Sequence, residues 1–272
     1  MARTYGGVAP EQRRADRRER LLTAGLELFT SAGFRHTKIT EVCARAGVST
    51  RNFYEEFSGK EDMLRTLHDR INSLALDHVT AALDEVAEAD AMTRIATLLD
   101  VFIDTVTVDP RLPRLNYVEA VGVSAELEQQ HQIWVDRWAT FIETEARRAA
   151  RHGAAPDRDY RLTAIALVGA ATGLLREWQA HEPPLPVEDV GAELRALMLA
   201  AIMRPGKILE IPGNRGAPSG VEQSSRQGEL GGKPAHVRAL YRQPPGKGPH
   251  GHHVARTVGK PSATGPVVWH TS

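Results

Sequence analysis

Apolar positions recur with a helical period from about residue 11 to residue 204, and no stretch shows the strict alternation of a half-buried strand. The first predicted helix runs from near Glu11 to Ser31. It turns Leu21, Leu22, Leu26, Leu28 and Phe29 inward, with Ala32-Gly33 as its stop. A second helix, capped by Thr37, shows Ile39, Val42, Cys43 and Ala46 at the i, i+3, i+4, i+7 spacing of one buried face. Gly47 then supplies a turn and Val48 plugs the core behind it. Ser49 caps a third helix whose inward residue is Phe53. Ser58-Gly59-Lys60-Glu61 has the Ser-x-x-Glu spacing of a capping box for a fourth, which carries Met63, Leu64, Leu67, Ile71, Leu74 and Leu76.

Two or three helices are expected between Ala91 and Val123, interrupted by Pro110 and Pro113. The clearest element is Ser124–His152, where Leu127, His131, Trp134, Trp138 and Phe141 follow at spacings of 4, 3, 4 and 3 as one mostly apolar stripe. Glu126 and Glu128 sit in its first turn and Arg147, Arg148 and Arg151 near its last, the order that the helix dipole favours. Asp159–Ala180 places Leu162, Ile165, Ala166, Gly169 and Gly173 on one side. A last helix, Val187–Met203, is predicted to bury Val190, Leu194, Leu197, Met198 and Ala201. This closing pair of helices suits an interface that symmetry doubles. From Pro205 onward, Gly, Pro, Ser, Arg and His dominate and periodicity is lost, so 205–272 reads as a disordered basic tail.

Charge changes the picture only when it is divided by region. The 272-residue chain is formally neutral, yet residues 1–70 carry 13 Lys/Arg against 10 Asp/Glu, 71–204 carry 12 against 21, and 205–272 carry 9 against 3. A basic head, an acidic middle and a basic tail bear on partners in a way that the neutral total hides. The single cysteine excludes an internal disulfide and a cysteine-based metal cluster, and it fits a reducing compartment. The opening residues lack the apolar core of a signal peptide, and the near-apolar run Thr163–Leu175 is too short to span a bilayer. A cytoplasmic protein is expected, with no cofactor and no metal site. His250, His252 and His253 in the tail are read as incidental.

Two short helices joined at Gly47, the second starting with polar residues, make a helix-turn-helix that reads DNA. Within and around it, Leu28-Phe29, Gly33-Phe34, Thr37, Ala46-Gly47-Val48-Ser49, Phe53-Tyr54, Phe57, Lys60-Glu61 and Leu64 stand in an order that resembles the amino-terminal domain of the tetracycline-repressor (TetR) family of transcriptional regulators. The resemblance spans about residues 12–66. Cys43 departs from it, standing where a small alanine is usual. It implies an all-α protein with an N-terminal arm and three-helix DNA-binding domain at 1–62 and a helical ligand-binding and dimerisation domain at 63–204; the tail at 205–272 matches nothing in the family pattern. It also implies a homodimer that sets two recognition helices in successive major grooves about 34–36 Å apart, and release of a palindromic operator by a small molecule.

Thr50, Arg51 and Asn52 are candidates for base edges, Arg pairing best with guanine and Asn with adenine. In the resemblance, the position of Tyr54 contacts a phosphate. Lys60, a cation at a helix start, is rationalised by a phosphate nearby, and Thr37 and Ser49 are candidates both as caps and as phosphate donors. Arg13, Arg14, Arg17, Arg18 and Arg20 form either a phosphate-contacting lead or a solvated helix end. Cys43 reads as core filler. Phe102, Tyr117, His131, Trp134, Trp138, Phe141 and Trp178 are candidates for lining an effector cavity. Competing functions are a ligand-independent architectural DNA binder, a transcriptional activator, and a helical enzyme or carrier with the head as an appendage. No Gly-rich phosphate loop, His-Glu-x-x-His helix or nucleophile elbow supports the last.

Overall fold

The computed structural model describes residues 10–181 and 185–203. The tail at 205–272 and its histidines lie outside the described residues. Among the described residues every regular element is helical: α1 (Pro10–Leu28), α2 (Ile39–Ala46), α3 (Thr50–Glu56), α4 (Lys60–Glu85), α5 (Ala91–Thr107), α6 (Arg111–Arg114), α7 (Ala125–Arg151), α8 (Arg161–Ala180) and α9 (Val187–Met203). Two π turns, Phe29–Gly33 after α1 and Leu115–Glu119 after α6, complete the set. No helix among these residues is long and apolar enough to cross a membrane.

The apolar residues form two cores. The first, in the head, gathers Leu22, Phe29, Val42, Phe53, Phe57 and Leu64 from α1 to α4. α1 and α4 approach closely at Gly25, where a Cβ would stand 2.6 Å from Met63 Sδ, so the site admits no side chain without a shift. The second core lies among α4, α5, α7, α8 and α9. α4 serves both: Met63, Leu64, Leu67 and Ile71 face the head core, and Ala75, Val79 and Leu83 the other. The expected domain boundary at 62/63 therefore falls inside one helix. Leu74 and Leu76, expected inward, are only half-buried. The head core also takes Leu112, Leu115, Ala120 and Leu127 from far along the chain.

α7 follows its prediction closely. Ser124 Oγ accepts the Leu127 N–H at 3.2 Å, and the helix runs to Arg151. Its buried stripe passes from Trp134 and Trp138 to Ile142, Ala146 and Ala149, leaving Phe141 half-buried, because a 3.5-residue spacing drifts around a 3.6-residue helix. On α8 the five residues grouped on one side by the sequence, Leu162, Ile165, Ala166, Gly169 and Gly173, are all exposed, whereas the inward residues are Ala164, Leu167 and Leu175. On α9, Val190, Leu194, Met198 and Ile202 are buried and Leu197 faces out.

Candidate functional site

The second helix of the helix-turn-helix is α3. Gly47 closes α2 at φ 62°, the left-handed region that glycine enters without steric cost. Ser49 Oγ then accepts the Asn52 N–H at 3.2 Å and starts α3. Phe53 is buried and stacks edge-on with Tyr54 at 5.4 Å, which fixes the outward direction of its neighbours. Thr50, Arg51 and Tyr54 are exposed and Asn52 is half-buried. The Arg51 guanidinium, 90% exposed, has only a loose 3.6 Å contact with Glu55. Burial raises the Cys43 thiol above its ordinary value, a hydrogen bond with Thr50 working against it, so Cys43 fills core beneath the start of α3.

Four of the arginines on α1 hold this helix in place. Arg14 and Arg17 reach Glu56 at 3.2 and 2.6 Å, on a carboxylate side chain only 1% exposed. Burial works to raise the Glu56 carboxyl, but the hydrogen bonds and charges of Arg17 and Arg14 together hold it below its ordinary value. Arg18 donates to the Glu56 carbonyl at 2.8 Å and lies over the Phe57 ring, and Arg20 donates to the Ala46 carbonyl at 3.2 Å. These cations complement the C-terminal ends of α3 and α2. Neither the phosphate reading nor the solvated-end reading describes these four.

Thr37 and Lys60 also depart from expectation. Lys38 occupies the N-cap of α2, and Glu41 accepts its backbone N–H at 2.9 Å. Thr37 is buried, and its hydroxyl sits 2.9 Å from the Gly33 carbonyl and 3.2 Å from that of Leu28, so it is neither cap nor phosphate donor. The Lys60 ammonium donates to the carbonyls of Phe34, Arg35 and Thr37 at 2.9, 3.1 and 3.0 Å. All three protons are thereby used inside the head, where they pin the turn before α2. The expected capping box at Ser58 is replaced by Asp62, whose carboxylate accepts from the Ser58 N–H and hydroxyl. Glu61 instead accepts from Ser124 Oγ at the start of α7.

Behind the head lies a cavity of about 60 Å³, lined mainly by apolar groups of α5, α7, α8 and α9. Phe102, Tyr117, His131, Trp134 and Trp138 line it as expected. Phe141 and Trp178 do not. Phe141 packs against Trp138 from outside, and the Trp178 indole donates to the Leu185 carbonyl at 2.9 Å. Phe102 meets Trp138 edge-on at 5.2 Å, and the Trp134 indole donates to Asp69 at 3.0 Å. Complete burial pushes the Tyr117 hydroxyl up to about 12, a hydrogen bond with Asn116 opposing it, so the phenol stays protonated.

Two segments run from the cavity wall to the head. α4 carries Asn72 in the wall and Glu61 at its head end. The second π turn carries Asn116 and Tyr117 in the wall and, at its far end, Glu119, whose carboxylate accepts the Phe34 N–H at 2.9 Å. Asn72 Nδ2 donates to Asn116 Oδ1 at 2.9 Å, so the two segments are joined at the cavity itself.

The family model for bacterial regulatory proteins, tetR family, matches residues 21–67, the head described above. Residues 21–67 are a tetR-family DNA-binding head. Over 69% of its length this chain is similar to the HTH-type transcriptional repressor KstR2 of Mycolicibacterium smegmatis, at 24% identity over 91% of that protein. It is also similar to the HTH-type transcriptional activator FasR of the same organism, at 26% identity over 63% and 76%. A crystal structure of a TetR-family transcriptional regulator from Syntrophomonas wolfei has the same fold, with a TM-score of 0.63 at 20% identity over 71% of this chain and 98% of that one. These relatives share regulation through DNA and differ in its sign.

Several residues of the site carry only weak sequence signals. Lys38 is exposed at the N-cap of α2. The available signal was a cation directly before an amphipathic helix, where the dipole disfavours it. His68 and Asn72 are polar members of an inward face of α4 that apolar periodicity alone does not pick out, and Asn116 lies in the second π turn, which has no such period. A polar residue one turn from Leu64 or His68 on that face was the signal.

Proposed function

We propose that this protein is a ligand-responsive transcriptional repressor that binds a palindromic operator as a homodimer and is released by a small molecule. One observation carries the reading: the segments that wall the cavity, α4 and the second π turn, are the segments that hold the head. Small-molecule sites usually enclose about 300–1,000 Å³, well above the roughly 60 Å³ found here. A bound effector therefore has to part these walls, and parting them shifts the head. Thr50, Arg51, Asn52 and Tyr54 are the base- and phosphate-contacting residues in this reading, with the free Ser49 hydroxyl proton and Lys38 adding phosphate donors.

The dimer is supported by α8 and α9. Leu162 is 80% exposed, and a Cβ at Gly169 or Gly173 would meet nothing within 4 Å among the described residues. Mid-helix glycine is disfavoured by up to about 1 kcal/mol relative to alanine. An exposed face with two glycines is accounted for by the close approach of a second copy.

Selection of duplexes from a random pool tests the reading. A palindrome with half-sites about one helical turn apart is expected. Arg51→Ala should cost about 1–3 kcal/mol per head and relax specificity at one position. If Arg51→Ala and Tyr54→Phe both bind the selected duplex like the parent, α3 is not the reader. If the chain truncated after residue 204 loses all DNA binding, the architectural reading, with the tail as the source of affinity, replaces this one.

A further inference from the structure

The amide and imidazole groups that line the cavity, Asn72, Asn116 and His131, come from α4, the second π turn and α7, whereas α8 and α9 contribute Leu167, Leu194 and Met198. The one hydroxyl from α8, that of Thr172, donates back to the Val168 carbonyl. No Asp, Glu, Lys or Arg is among the lining residues.

Next to His131 lies His68, completely buried, with its ring centroid 5.8 Å from that of His131. Neither of its ring nitrogens has a hydrogen-bond partner. Burial, with a smaller contribution from His131, lowers its titration to about 4, so it presents a neutral imidazole with one donor and one acceptor. Asn72 spends its amide protons on the His68 carbonyl and on Asn116 Oδ1, which leaves its own carbonyl oxygen as an acceptor. Buried polar groups are nearly always paired, and a cluster left short of partners beside a cavity is a seat for a ligand's polar atom.

We propose that the lining groups Asn72, Asn116 and His131, with the unpartnered His68 next to His131 outside the present lining, receive a single hydroxyl or ketone oxygen on an otherwise apolar, uncharged effector as the cavity opens. The proposal rests on the effector-released regulator described above and names the chemistry of that effector. An ionised carboxylate or phosphate would have to be desolvated with no cation in the lining to pair it. The oxygen would sit beside the Asn72–Asn116 bond that joins the two segments leading to the head, so its arrival acts where they meet.

The test uses the full chain and three probes with one aromatic body: naphthalene, 2-naphthol and 2-naphthoate, titrated by calorimetry. The cost of opening the cavity is shared and cancels between them. 2-Naphthol should bind about tenfold more tightly than either of the others, the value of roughly one buried neutral hydrogen bond. His68→Leu should keep the naphthalene affinity within about twofold and lose the 2-naphthol advantage. His131→Leu, at a half-buried position, should do the same and serves if the first variant does not fold. Preference for 2-naphthoate, an advantage unchanged in both variants, or binding of no probe overturns the proposal. Binding of the parent to its selected duplex is read separately. If no duplex is bound, the regulator reading fails; if a duplex is bound without discrimination among the probes, only this inference fails.

Discussion

Lys60→Met separates a structural lysine from a DNA-contacting one. The substitution keeps most of the stem over the Phe34 ring, whose centroid is 4.6 Å from the ammonium, and removes the three donors to the Phe34, Arg35 and Thr37 carbonyls. Hydrogen bonds to a charged group contribute about 1.5–3 kcal/mol each. The three share one partly solvated ammonium, and the freed carbonyls regain some water, so the total loss should be about 3 kcal/mol rather than the full sum. At about 2–4 °C per kcal/mol, Tm should fall by roughly 6–12 °C. Duplex affinity should fall as well, because the turn that aims α2 loses its anchor. The slope of log K against log salt, however, should stay at the parent value. A phosphate-contacting Lys60 gives the opposite pattern: unchanged Tm and a slope shallower by about 0.9 per lost contact. Thermal unfolding and duplex titrations at several salt concentrations read both quantities. A Lys60→Met protein with parental Tm and a flattened slope refutes the structural assignment.

The Glu56 carboxyl titrates below its ordinary value in the folded protein, so its contribution is present above the unfolded carboxyl's pKa and is lost as pH falls through the folded one. Glu56→Gln should therefore narrow the gap in stability between pH 7 and pH 3, seen in urea unfolding at the two pH values; an unchanged gap refutes the clamp. Arg94 is buried, donates to the Leu83 and Val86 carbonyls and pairs with Glu145 at 2.9 Å. Arg94→Met should cost about 3–5 kcal/mol by stranding the Glu145 carboxylate, measured as a shifted denaturation midpoint; a cost below 1 kcal/mol would contradict it. Gly169→Leu with Gly173→Leu should leave helix content unchanged, since both sites face open space among the described residues, yet yield monomers in sedimentation velocity. A dimer of undiminished affinity would show that α8 is not the interface.

Much of the fold is legible from local signals. The turn at Gly47, the Ser49 cap and the α7 boundaries each rest on backbone chemistry contained in a few adjacent residues, and each stands where the sequence places it. α8 shows the limit of the method. Periodicity finds an apolar face without telling which neighbour covers it, and on α8 the face singled out from sequence is the one this chain leaves open. Among the cavity candidates, Phe141 and Trp178 share the helical spacing of true lining residues. A few tens of degrees of drift decide which aromatic reaches the cavity and which packs behind it.

The sequence by itself determined most of the helices, their order and the helix-turn-helix with the outward residues of α3, because caps, turns and period are written within a turn or two of chain. Only the tertiary structure decided what the cations do. Lys60, Arg14, Arg17, Arg18 and Arg20 look like phosphate ligands until the carbonyls and the carboxylate they meet, 23 to 42 residues away, are in view. It also decided how the cavity reaches the head. The Asn72–Asn116 and Phe34–Glu119 hydrogen bonds join residues 44 and 85 positions apart, and no local pattern encodes a contact made by packing distant helices together.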